Sequence, residues 1–319
     1  MDEQTALVLA LQLVALFSIA GALLLYLLCK IKPESGVESE ESSPGAGKPV
    51  LVTSCDNAIG LQIALHLADR GYRVFAGLKD GAASGDSNDS ASARVIRGWL
   101  KHRESLASIS LQGTIVALPL DVNREDLLHE SVDIIRAHLP AGKDGLWAVI
   151  NTSGVMYRGR LEQQDVTHWD AILRTNVVGM LRVARTFQTL LRSSQGRIIT
   201  LGNSEGEEAG LVAYTASRYA IQGASNALRE ELATSGVKVI TLNPKGLSMD
   251  FMLTTPKLIS KPDAEVSVDI FGHLEFQPIV LPPSALHVVN VAITCGNPKR
   301  NYTLLKKQLW RKPLHIFTA

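Results

Sequence analysis

The stretch Val50-Leu51-Val52-Thr53-Ser54-Cys55-Asp56-Asn57-Ala58-Ile59-Gly60 decides the reading of the chain. An apolar run, a polar turn and a glycine opening a helix-period segment describe a buried strand that turns into a helix. Such a turn aims backbone N–H groups and the positive helix end at a phosphate. Turns of this kind use three glycines so that the backbone can approach its ligand. Here only Gly60 stands, with Ser54 and Ala58 at the other two positions. Read alone, the stretch serves equally as an ordinary strand-to-helix connection.

Outward from it, apolar runs at 73–77, 114–120, 147–150, 197–201 and 238–242 read as further buried strands. Between them lie helix-period segments at 61–70, 124–138, 177–191 and 216–233, the first stopped by Gly71. Fully apolar strands alternating with helices predict an α/β fold with a doubly wound parallel sheet in a single domain, 49–319. The polar run 81–93 (GAASGDSNDSASA) is expected to be a disordered insertion. Residues 247–290 are expected to form a substrate lid and the last helix. Phe251, Met252, Leu253, Leu258, Ile259, Ile270, Phe271 and Leu274 suit a lipophilic ligand there.

The amino-terminal end reads differently. After a five-residue tail, residues 6–29 are apolar except for Gln12 and Ser18. At ~1.5 Å per residue such a helix reaches roughly 36 Å, enough to cross a ~30 Å hydrocarbon core with tilt. The preceding Met1-Asp2-Glu3-Gln4 is acidic, unlike the basic start of a cleaved signal peptide. The expectation is a single-pass anchor in the lipid bilayer, at the endoplasmic reticulum. Lys30 and Lys32 on its carboxyl side place the following domain in the cytosol. Residues 30–48, rich in Glu, Ser, Gly and Pro, read as a flexible linker.

Composition narrows the function classes. With 319 residues, a formal net charge of +1 and 46% hydrophobic residues, the chain is neither a disordered protein nor a bulk electrostatic binder of nucleic acid. Three cysteines without a CxxC pair form no disulfide framework, and the eight histidines show no metal-ligand spacing, so no metal site is expected. Three Asn-x-Ser/Thr sequons occur, at Asn88, Asn151 and Asn301, of which Asn151 should be buried at a strand end.

Strand ends on the carboxyl side of such a sheet line the ligand crevice. That places Asp121 and Val122, Asn151 and Gly154, and Pro244 near it. Asp121 suits an adenine amino group, or caps the helix that follows. Tyr214 and Arg218 are four apart and share a helix face. A cation beside a tyrosine favours the phenolate, so a lowered Tyr214 pKa is expected, as an acid/base near neutral pH requires.

In order and spacing these parts resemble the short-chain dehydrogenase/reductase family over residues 49–305. The branch of retinol, 17β-hydroxysteroid and 3-hydroxybutyrate dehydrogenases looks nearest. The resembling stretches are Thr53-Ser54-Cys55-Asp56 with Gly60, Val74-Phe75-Ala76-Gly77, Gly145 to Asn151, Gly196-Arg197-Ile198-Ile199, Tyr214-Thr215-Ala216-Ser217 and Gly236-Val237-Lys238-Val239. The resemblance implies a Rossmann-type fold, NAD or NADP as cofactor, and an Asn-Ser-Tyr-Lys tetrad. Asn176 then matches the asparagine and Tyr214 the acid/base. Arg218 stands where the family has lysine, which holds the nicotinamide ribose. The serine position falls on Asn203, with Ser204 one residue later. Thr53, Ser54, Asp56, Ala58, Ile59, Gly60 and Lys79 would line the cofactor. Lys79 suits a 2′-phosphate, Asp80 lies beside it, and the branch leans to NAD. The resemblance also implies a homodimer through the helices carrying Asn176 and Tyr214, and a steroid- or retinoid-like substrate.

The chain departs from the family pattern in the two lost glycines, in Arg218, at the serine, in Asn151-Thr152-Ser153-Gly154, and in Pro244-Lys245 where Pro-Gly is usual. Two readings follow: an oxidoreductase acting on a lipophilic alcohol or its carbonyl, or a catalytically impaired homologue serving as a binding or scaffold module.

Overall fold

The computed structural model describes residues 12, 14–18, 21–23, 45–79, 89–105, 113–202, 208–258 and 276–305. The chain divides into two compact units, Met1–Ser43 and Pro44–Ala319.

In the second unit, seven strands form one parallel sheet: β1 (Pro49–Val52), β2 (Arg73–Leu78), β3 (Thr114–Pro119), β4 (Ala148–Asn151), β5 (Arg197–Leu201), β6 (Lys238–Lys245) and β9 (Asn301–Leu305). Their order is β3-β2-β1-β4-β5-β6-β9, so strand progression reverses between β1 and β4. The two are in register Leu51 against Val149. At this reversal the connections leave in opposite directions and open a crevice beyond the carboxyl strand ends. All six expected strands are present. The seventh, β9, lies on an edge and pairs with β6. Its Asn-Tyr-Thr-Leu-Leu is too short and too polar at its start to stand out as a buried run.

Helices cover both faces. On one side α1 (Ala58–Asp69), α2 (Ala91–Ser105) and α8 (Pro283–Thr294) bury Val50, Val52, Val74, Ile150, Ile199 and Ile240. On the other, α3 (Glu125–Ala137), α5 (Gly179–Ser194) and α6 (Val212–Ala233) bury Leu51, Phe75, Val149, Ile198 and Val239. Successive strand residues thus feed opposite cores, as a strand's two-residue period requires. Each large apolar side chain so buried contributes ~1.5–3 kcal/mol. Gly71 ends α1 with φ 87°, as its position predicted.

Several expected boundaries move. Residues 81–88 of the expected insertion lie outside the described residues, but α2 begins at Ala91, with Ser92 and Ala93 buried. The alanines between polar residues favour helix, and packing against the core orders them. The linker also ends earlier than expected. Gly45 N donates to Arg70 O at 2.6 Å and Gly47 N to Gly71 O at 2.9 Å, which joins 45–48 to the domain.

Of the expected anchor at 6–29, only residues 12, 14–18 and 21–23 are described. They are helical, and Val14, Leu16, Phe17 and Leu23 are exposed. Among the described residues no helix is long and apolar enough to cross a membrane. In the expected lid, α7 (Met249–Leu253) follows β6, and β7 (Lys257–Leu258) pairs with β8 (Phe276–Gln277); residues 259–275, including Ile259, Ile270, Phe271 and Leu274, lie outside the described residues. Met252 belongs to the core and Leu253 and Leu258 pack against it, while Phe251 is exposed.

Candidate active site

The β1–α1 turn is held by its own polar groups. Asn57 caps α1, its Oδ1 accepting from Gly60 N at 2.8 Å, and its Nδ2 donates to Thr152 O at 2.8 Å. That cap is worth about 1 kcal/mol. Gly60 is closely enclosed: a Cβ there would lie 1.7 Å from Ser54 O and 2.8 Å from Thr152 Oγ1. The lost glycines carry no backbone strain, because among the described non-glycine residues only Ala46 and Gln195 have positive φ. Ser54 and Ala58 therefore need no left-handed backbone. Ala58 N donates to Thr254 O at 2.9 Å. Of the first helical amides Ile59 N has no partner among the described residues, and it is the one left for an anion.

Behind the turn lies a buried polar network. Thr53 Oγ1 bonds Asn151 Oδ1 at 2.9 Å and Ser153 Oγ at 2.8 Å. Asn151 is buried, as its sequon reading required. Asp56 Oδ2 accepts from Lys79 N at 2.8 Å, tying the turn to the end of β2, where Lys79 is exposed. Asp80 lies outside the described residues. Asp121 Oδ1 accepts from Asn123 N at 2.9 Å, a local turn ahead of α3. Val122 is buried against Gly179, and Pro244 is buried in β6 opposite Leu304. Gly246, one residue after the usual glycine position, has φ 66°.

On the other side of the crevice, α4 (Val166–Leu173) runs into a π-helical turn, Arg174–Val178, before α5. The wider turn carries Asn176, fully buried. Asn176 Oδ1 accepts from Val155 N at 2.8 Å, and its Nδ2 donates to Val155 O at 3.0 Å and Ser217 Oγ at 3.1 Å. Its amide thus pins the segment after β4 to α6. Asn176 is a positioning residue, and Ser217, which sequence reasoning did not single out, holds it. A signal was available, since Ser217 precedes Arg218 on the face that Tyr214 marks.

Tyr214 and Arg218 meet as their spacing predicted. Arg218 Nε donates to Tyr214 Oη at 2.8 Å, and Nη1 donates to Leu201 O at 3.1 Å. Both residues are buried. Arg218 Nη2 is buried with no hydrogen-bond partner among the described residues. It lies beside Gly154, 3.5 Å from where a Cβ would stand. Gly154 lines a cleft of about 330 Å³ with Val155, Met156, Tyr157, Asp250, Leu253 and Thr254. One expectation is reversed. Burial pushes the Tyr214 phenol above its ordinary pKa, and Arg218 offsets this only in part; Asp250 adds to the rise. Desolvation outweighs the single cation because the phenol sits inside the core. Asn203 and Ser204 lie outside the described residues.

At the mouth of the cleft Arg158 joins two carboxylates. Its Nε donates to Asp250 Oδ1 at 2.9 Å and its Nη1 to Glu208 Oε1 at 2.6 Å. The guanidinium hydrogen bond holds Asp250 below the usual carboxylate range.

A model of the short chain dehydrogenase family matches residues 48–256. The mitochondrial D-beta-hydroxybutyrate dehydrogenase of Bos taurus is 27% identical over 228 residues, 70% of this chain and 61% of that protein. Estradiol 17-beta-dehydrogenase 2 of Mus musculus is 29% identical over 236 residues, 72% of this chain and 54% of its own. The chain thus spans about three-fifths or less of the length of these relatives. Among solved structures, a short-chain dehydrogenase/reductase from Serratia marcescens BCRC 10948 superposes with a TM-score of 0.52 at 22% identity. That alignment covers 63% of this chain and 75% of the other, and the likeness is one of fold. With the family model spanning most of the parallel sheet and the Tyr214–Arg218 face, this chain belongs to the short-chain dehydrogenase family.

Proposed function

We propose that this protein is a membrane-anchored, NAD(P)-dependent oxidoreductase interconverting a lipophilic alcohol, steroid- or retinoid-like, and its carbonyl. The carrying observation is the buried pair of Tyr214 Oη and Arg218 Nε at 2.8 Å, beside a cleft at the carboxyl end of the sheet. Because Tyr214 accepts from Arg218, its own O–H remains to donate toward a substrate oxygen. The raised pKa keeps it the neutral phenol at pH 7, the form that gives a proton to a carbonyl. Arg218 Nη2, buried and unpartnered among the described residues, suits a ribose hydroxyl. The Ile59 amide at the α1 N-terminus suits a pyrophosphate oxygen. When bound, the nicotinamide supplies or accepts the hydride. Asn176 holds the cleft floor, and Ser204 or Asn203 completes the contact to the substrate oxygen. Lys79 at the end of β2 fits a 2′-phosphate, while the family resemblance slightly favours NAD, and the nucleotide titration decides between them.

The apolar run 6–29 supports the anchor, with the domain on the cytosolic side. The exposed Leu173, Val178, Leu181, Val212 and Tyr219 on α4 to α6 and the turn between support a homodimer. A second reading, an impaired homologue acting as a binding module, is favoured by Thr254 O occupying the Ala58 amide. The test is titration of the full chain in detergent with NADH and NADPH, followed by turnover of steroid and retinoid alcohols. Micromolar binding, and turnover that Tyr214→Phe lowers by about 10²- to 10⁴-fold without unfolding, fit catalysis. Binding without turnover, or no binding by a folded protein, selects the second reading.

A further inference from the structure

The mouth of the cleft carries a cluster for which the proposed reaction has no use. Arg158 lies in the segment after β4, Glu208 just ahead of α6, and Asp250 on α7. The guanidinium meets both carboxylates edge-on. Nε and Nη2 donate to the two oxygens of Asp250 at 2.9 and 2.5 Å, and Nη1 and Nη2 to those of Glu208 at 2.6 and 3.2 Å. Such paired, two-pronged contacts are the strong form of an ion pair. They tie three chain segments at one rim.

Asp250 and Thr254 are one helical turn apart. Thr254 Oγ1 donates back to Asp250 O at 2.5 Å, which links the two residues. Beyond them, Thr254 O accepts from Ala58 N at 2.9 Å, at the first turn of α1. This is the helix end that the reaction needs for a pyrophosphate. A carbonyl oxygen there carries partial negative charge and takes a donor that an anion would use. Met249 and Met252 of α7 are buried and seat the helix on the core.

We propose that the Arg158–Asp250–Glu208 cluster is a latch, holding the Thr254 carbonyl on the α1 N-terminus and gating access of the dinucleotide to it. The inference rests on the cofactor reading of the turn. The nucleotide-free protein is then self-capped, and its affinity is reduced by the fraction of molecules whose latch is open. Breaking the latch tightens binding. The sign separates this from simple electrostatics, because removing the positive charge of Arg158 should by Coulomb attraction alone weaken an anionic ligand.

The experiment compares the full chain in detergent with Arg158→Gln, and, should that fail to fold, with Asp250→Asn read by exchange alone, because loss of a carboxylate would itself favour an anionic ligand. Hydrogen exchange at the Ala58 amide is read without nucleotide, and NADH and NADPH are then titrated. Expected are exchange faster by about fivefold and a Kd lower by about three- to tenfold in Arg158→Gln, as for loss of two exposed ion pairs. Unchanged exchange at Ala58 overturns the latch whatever the nucleotide does. Weaker binding in Arg158→Gln overturns the gating. Faster exchange with no nucleotide bound by either protein overturns the cofactor reading of the turn and supports the latch itself.

Discussion

Replacing Gly60 by alanine sets two physical effects against each other. Gly60 is the third residue of α1, and alanine is the better helix former by about 1 kcal/mol. Propensity alone therefore predicts a more stable protein. The added Cβ, however, would stand 1.7 Å from Ser54 O, 2.7 Å from Ser54 C and 2.8 Å from Thr152 Oγ1. The first two are backbone, held by the β1–α1 turn and by Asn57, so relief requires α1 to lift from the sheet. Overpacking of this kind costs about 1–3 kcal/mol, and the rigid neighbour puts the cost at the upper end. The net expectation is a loss of about 2 kcal/mol, or a Tm lower by about 4–8 °C. Gly223, exposed on α6 with nothing within 4 Å of its would-be Cβ, is the control. Gly223→Ala should raise Tm by about 2–4 °C, since only the propensity term acts. Thermal melts of both variants beside the parent, followed by tryptophan fluorescence in one detergent, give the comparison. A Gly60→Ala melt at or above the parent would refute the claim that the turn and the sheet meet at fixed distance.

Arg218→Met leaves burial of Tyr214 unopposed, so its pKa rises further. The pH–rate profile for alcohol oxidation should move to the alkaline side, with Arg218→Lys intermediate; an unshifted profile would disconnect the pair. Burial pushes the Tyr72 phenol up to about 12, above its unfolded value near 10. Its contribution is whole below pH 10 and is lost as the pH climbs toward 12, by about 2–3 kcal/mol. Urea midpoints of Tyr72→Phe should fall less steeply than the parent's over that window. Asn176→Ala strips the partners from Val155 N and O, and should cost about 2–4 kcal/mol in urea unfolding while lowering turnover. Full stability in that variant would show that the π-helical turn does not brace the cleft floor.

Much of the fold was legible because it is written in local periodicity. Apolar runs at 73–77, 147–150 and 197–201 are strands because only a sheet covered on both faces buries every residue, and no neighbour is needed to see it. Tyr214 and Arg218 were legible for the same reason: a spacing of four places two side chains on one helix face before any tertiary contact forms. The edge strand β9 and the helix at Ala91 were not, because their order comes from pairing with β6 and from packing against the core. Nor could the sequence set the sign of the Tyr214 shift, which is a contest between one adjacent cation and burial by distant elements. That Ser54 and Ala58 sit without backbone strain likewise depends on backbone angles that residue type does not reveal. By itself the sequence determined the parallel α/β architecture, the strand-to-helix turn and the Tyr–Arg pair. Only the tertiary structure decided that Gly60 has no room for a Cβ, that Asn176 is a brace and that Arg158, Glu208 and Asp250 meet. Those facts rest on contacts between residues up to about a hundred positions apart, and a chain carries no local trace of a distance that only folding closes.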